Sequence, residues 1–163
     1  MGRPLRTRID FAKTLSWYDF FHNQLIAFGK IKNDFGLAKL LCKDTEKSHE
    51  SNLFKKYKFG LSTPQQEWID IIDSKCIGSS NIINHSIWKN LKYRTTEEKL
   101  ILIELNNLPN YIFENLIING HIKDFNKSDL EKLAQYGSLD SLCALYLLHQ
   151  WGYSIGSTSL VND

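Results

Sequence analysis

The chain has 163 residues, 42% of them apolar and 12% aromatic, which is enough to bury a core without metal or disulfide support and too apolar for a disordered segment. Twenty Lys and Arg against 18 Asp and Glu leave a formal charge of +2, so the chain as a whole is no polycation. Cys42, Cys76 and Cys143 are odd in number, far apart and without a C-x-x-C pair, which excludes a disulfide framework or zinc knuckle and points to a reducing, cytoplasmic setting.

Residues 1–9, MGRPLRTRI, read as a basic arm carrying Arg3, Arg6 and Arg8. Asp10, Lys13 and Asp19 interrupt any signal-peptide-like stretch, and no window reaches the run of about 20 apolar residues that a membrane span needs. A soluble protein with no membrane partner is expected.

From Asp10 or Thr14 the spacing of Leu15, Tyr18, Phe21, Leu25 and Phe28 predicts a helix, widened by Trp17 and Phe20 and stopped at Gly29. A second helix is expected over Phe35 to Leu41, with Asn33 or Asp34 as its cap. The polar run KDTEKSHE, 43–50, reads as a loop or a solvated first turn. Leu53, Phe54 and Tyr57 then recur at helical spacing up to Gly60. Thr63-Pro64 predicts a capped start for a helix whose apolar face is Trp68, Ile69, Ile71 and Ile72.

Beyond Cys76 the chain turns polar, with a short helix expected around Ile87 to Leu91. Thr95 or Thr96 opens a helix through Leu105, and Pro109 to Ile118 reads as another, closed by Gly120. Ser128 to Tyr136 and Ser138 to Trp151 complete the series, followed by the tail GSTSLVND. No segment alternates as a strand should. The expected fold is all-α: a compact multi-helix domain with an arm at 1–9, a helical core at 10–76, a helical extension for packing or dimerisation at 77–155, and a tail at 156–163.

Charge is distributed unevenly along this order. Residues 1–60 hold twelve Lys or Arg against six Asp or Glu, a net of +6, whereas residues 61–163 hold eight against twelve, a net of −4. An anionic partner would dock on the first part.

The order of the central elements, Leu37-Ala38 on one helix, Tyr57 and Gly60 at the end of the next, then Pro64 before an Ile-rich helix, resembles the Cro and lambda-repressor-like helix-turn-helix class over about residues 12–75. The resemblance implies a DNA-binding, regulatory role in the sense of transcription regulation, without catalysis. Ala38 is small where two helices would cross, Leu37, Leu41 and Phe54 are suited to fill the wedge between them, and Gly60 permits the positive φ that closes a helix. Lys47, Ser48, Ser51 and Asn52 would then lie near the start of the recognition helix, with Lys55, Lys56 and Lys58 placed for phosphates and Arg3, Arg6 and Arg8 on the arm. One departure is plain: the polar gap from Cys42 to Glu50 is longer by about six residues than a tight turn between such helices.

Plainer readings stand beside these. Lys55, Lys56 and Lys58 also suit the solvated face of a surface helix. Gly2-Arg3-Pro4 is similar to the centre of an AT-hook, without the Arg that precedes it there. Residues 17, 18, 20 and 21 are aromatic enough to stack bases, but their helical spacing favours core packing. His22, His49, His85, His121 and His149 form no H-x-x-x-H or H-E-x-x-H pair, Cys42 and His49 have no nucleophile–base spacing, and no G-x-S-x-G, P-loop or Rossmann glycine pattern occurs. No metal, cofactor or enzymatic activity is expected. The apolar helix LDSLCALYLLHQW is either the centre of the fold or half of a homodimer interface. The competing expectation is a small helical protein-interaction module, of the kind used by mobile elements or defence systems, that binds a protein partner through these last helices.

Overall fold

The computed structural model describes residues 6–42, 51–95 and 97–155. The fold is all-α apart from one minimal hairpin, as expected from the periodicity, and it divides into two compact units, Met1–His85 and Ser86–Asp163. Among the described residues no helix is long and apolar enough to cross a membrane.

The first unit opens with α1, Arg8–Ala27, whose start is fixed by a capping box: Thr7 Oγ1 accepts from the Asp10 N–H while Asp10 Oδ2 accepts from the Thr7 N–H. Thr14, Trp17, Tyr18, Phe21 and Leu25 form its buried stripe. The expected stripe differs at its two ends, because Leu15 is only half-buried and Phe28 lies beyond the last turn, exposed. Helix α2, Asp34–Cys42, is capped by Asn33, whose Oδ1 accepts from the Gly36 N–H at 3.0 Å.

Helix α3 spans Ser51–Lys58. It ends in a Schellman turn, with Leu61 N–H donating to Lys56 O at 2.7 Å and Gly60 N–H to Tyr57 O at 2.9 Å, which requires the positive φ of Gly60. Helix α4, Gln66–Lys75, starts later than Thr63-Pro64 suggested: Gln65 holds the cap position without a side-chain bond, and Pro64 is buried. Helix α5, Ser79–Ile83, falls in a stretch that reads as polar. Asp73 organises its first turn, accepting from the Ser80 N–H at 2.7 Å and from Ser79 Oγ at 3.2 Å.

Helix α1 packs on α5 and α3, α2 on α3, and α4 on α5. Their shared core is aromatic, with Trp17 edge-on to Phe21 and Tyr57 at 4.9 and 5.6 Å between ring centroids and Phe54 edge-on to Trp68 at 5.0 Å. Pairs of this geometry add about 0.5–1.5 kcal/mol each beyond their burial, which ties α3 to α1 and α4. Residues 17, 18 and 21 are therefore core rather than a stacking surface.

The second unit contains α6, Ser86–Lys92, α7, Glu98–Asn106, and α8, Asn110–Phe113. Strands β1, Ile117–Ile118, and β2, His121–Ile122, follow, then α9, Lys127–Gln135, and α10, Leu139–Ser154. Helix α10 is the centre, packed against α6, α7, α8 and α9.

Three expectations are corrected in this unit. The helix expected over Pro109 to Ile118 stops at Phe113, and the rest forms the antiparallel pair Ile117↔Ile122 around Asn119-Gly120, both at positive φ as a tight hairpin turn demands. Helix α7 begins at Glu98 rather than at Thr95, with Glu97 in the cap position and no side-chain cap bond, while Thr96 lies outside the described residues. Helix α9 starts at Lys127 rather than Ser128, capped by Asn126 in a box with Asp129: the asparagine Oδ1 accepts from the Asp129 N–H, two residues ahead of a box on Ser128 and Glu131.

Candidate nucleic-acid interface

Helix α3 has two chemically distinct sides. Phe54 and Tyr57 are buried in the core, while Asn52, Lys55, Lys56 and Lys58 are exposed. The division follows from the sequence: apolar residues three apart face the interior, and the lysines occupy the positions between and after them. All three lysines lie in the last turn, where positive charge also complements the helix dipole. Ser51 begins the helix. Lys47, Ser48 and Arg3 lie outside the described residues.

Helix α2 packs beside α3 much as the sequence suggests, with Leu37, Leu41 and Phe54 in one buried cluster. The start of α2 lies beside the end of α3: Lys58 Nζ donates to Asp34 Oδ2 at 2.6 Å, and Tyr18 OH donates to Asp34 Oδ1 at 3.3 Å. His22 Nε2 approaches the same oxygen at 2.9 Å, with its ring stacked on Tyr18. The Lys58 hydrogen bond holds the Asp34 carboxyl below its usual range, so it is ionised at neutral pH. Burial, with Asp34 adjacent, pushes the Tyr18 phenol up, and it stays a neutral donor.

The three lysines are thus not equivalent. Lys58 is engaged with a carboxylate, whereas Lys55 and Lys56 enter no ion pair among the described residues. Among the described residues, then, this helix presents two cations without an ion pair and one that is paired.

The two described arginines of the arm divide in the same way. Arg6 is tied into the fold, its guanidinium donating to Gly60 O, to Asp10 O at 3.0 Å and to Thr14 Oγ1 at 2.9 Å. It pins the end of α3 to the start of α1. Arg8 is exposed and shares with Arg6, Phe11, Gly60 and Leu61 a cleft of about 360 Å³ just past that end.

A cleft of about 310 Å³ also opens along the α2–α3 pair, lined by Tyr18, Asp34, Phe35, Ala38, Phe54, Lys55, Lys58 and Phe59. Ala38 leaves room here because it presents only a methyl group. Periodicity alone does not single out Phe35 and Phe59, which stand exposed on its margin. Phe35 lies in the first turn of α2 and Phe59 just past the end of α3, and neither belongs to a buried stripe.

Among the described residues no group of three or more His, Cys, Asp or Glu is arranged to hold a metal ion. Cys143 is buried against Asn90 Nδ2 and Ser86 Oγ, at 3.5 and 3.8 Å, and burial pushes its thiol up. Burial does the same to Cys76, so neither is primed as a nucleophile. No protein-family model matches the chain, and no curated protein or solved structure matches it.

Proposed function

We propose that the Met1–His85 unit is a DNA-binding module that presents α3 to duplex DNA. The observation that carries this reading is the sidedness of α3: a helix clamped to the core by Phe54 and Tyr57 whose free side holds Asn52, Lys55, Lys56 and Lys58. Lys55 and Lys56 neutralise phosphates, Lys58 and Arg8 add to the field at the margin, and Asn52 meets base edges from the helix start, as in the helix-turn-helix docking mode. The role is regulatory, cytoplasmic and non-enzymatic.

The test is a titration of labelled duplex of mixed sequence at 50 and 200 mM salt. With two phosphate contacts, from Lys55 and Lys56, affinity falls by about twelve-fold between those conditions, from a slope of about −0.9 per contact. Absence of a retained duplex at the lower salt ends the reading.

A second reading belongs to the other unit. Helices α9 and α10 border an apolar groove of about 360 Å³ lined by Leu130, Ala134, Leu145 and Leu148, and Leu142 and Tyr153 of α10 are exposed. This supports a homodimer or protein-partner surface. A stable complex that survives replacement of Lys55, Lys56 and Lys58 would favour it.

A further inference from the structure

We propose that the cleft along α2 and α3 receives an unpaired nucleobase of a bound strand, so that the protein favours nucleic acid with exposed bases over a fully paired duplex. The inference deepens the DNA-binding reading of α3 and rests on it.

Phe35 is 79% exposed and Phe59 51% exposed, and both stand on the margin of the same cleft. A single exposed apolar ring is ordinary on a protein surface, but two exposed rings that line the same cleft offer aromatic faces on which a base can stack. The floor is apolar, made by Ala38 and the buried Phe54. Its volume of about 310 Å³ lies at the small end of ligand sites, which run from about 300 to 1,000 Å³.

Charge selects the occupant. Lys55 and Lys58 border the cleft and Lys56 is exposed on the same helix, which suits the phosphates on either side of an inserted base. Asp34 lies in the lining itself, with both oxygens already engaged by Lys58, Tyr18 and His22. A carboxylate there repels an acidic side chain entering the cleft but tolerates a neutral, flat base. The arrangement thus puts the apolar, uncharged part of a nucleotide inside and its anionic part outside.

The experiment compares three labelled ligands by anisotropy on the full chain: a mixed-sequence strand of about twelve nucleotides, within the usual site size of a single-strand groove, an abasic strand with the same number of phosphates, and a blunt hairpin duplex. The base-bearing strand is expected to bind about ten-fold tighter than the abasic strand, as stacking of one base supplies. Joint Phe35→Leu and Phe59→Leu substitution, at exposed positions where folding does not depend on the rings, is expected to abolish that difference while leaving abasic binding and its salt dependence unchanged. Equal binding of the base-bearing and abasic strands, with the hairpin still retained, overturns the cleft assignment and leaves the α3 reading intact. A base preference that survives both Leu substitutions also overturns it. No binding of any of the three ligands overturns both readings.

Discussion

Replacing Asp34 with Asn isolates the electrostatics of the proposed interface, because one carboxylate restrains one of its three lysines. The Asp34 side chain is about half exposed and accepts from Lys58 at 2.6 Å. Exposed pairs of this kind contribute about 0–1 kcal/mol, so the substitution lowers Tm by no more than about 4–8 °C for a unit of this size. Its effect on binding has the opposite sign. Lys58 loses its partner and the anion nearest the lysines disappears, which adds one phosphate contact and steepens the plot of log affinity against log salt by about 0.9. The assay is an anisotropy titration of labelled duplex over a salt series, on the native chain and on Asp34→Asn. A slope that is unchanged or shallower, in a variant whose melt stays within that range, would refute the assignment of Lys58 to the interface.

Three further outcomes follow from the same geometry. Gly60→Ala places a Cβ 2.6 Å from Phe11 Cδ2 at a φ of +61°, so it should destabilise the first unit by more than the roughly 1–2 kcal/mol of a left-handed residue alone, and a melting curve unchanged within error would contradict the close approach of α3 to α1. Asp73 is held below the ordinary carboxylate range chiefly by the Ser80 N–H, and Asp34 chiefly by Lys58, so their contribution is present above the unfolded value of about 4 and is lost as pH falls through the lower folded values; Tm should drop below about pH 4, less steeply in Asp73→Asn, and an equal drop would count against the Asp73 cap. Cys143 should react with a thiol reagent only on unfolding, measured in a variant in which Cys42 and Cys76 are replaced by Ala, and rapid labelling of the native form would show that the site is open.

Local signals carried far along this chain. Glycines mark the ends of α1 and α3, the capping residues Asn33 and Ser138 sit where their types predict, and the buried stripe of α1 is visible in the spacing of Trp17, Tyr18, Phe21 and Leu25. These features depend on bonds within a few residues of sequence. The hairpin at Asn119-Gly120 was also a local signal, but the apolar run before it fits a helix equally well over so short a stretch, and only the pairing of Ile117 with Ile122 separates the two. The missed α5 has the same origin in reverse, since its first turn depends on Asp73, on the preceding helix.

The sequence by itself determined that this chain is helical, where α1 and α3 end and α2 and α10 begin, and that α3 has an apolar side and a basic side. Only the tertiary structure decided which cations are tied into the fold and which rings stand exposed. Arg6 and Lys58 look as available as Arg8 and Lys55 until the fold brings Gly60 to one and Asp34 to the other, from 54 and 24 residues away. Periodicity reports which side of a helix is apolar; the contacts that consume a charge or expose a ring belong to residues distant in sequence, and those distances are set by packing.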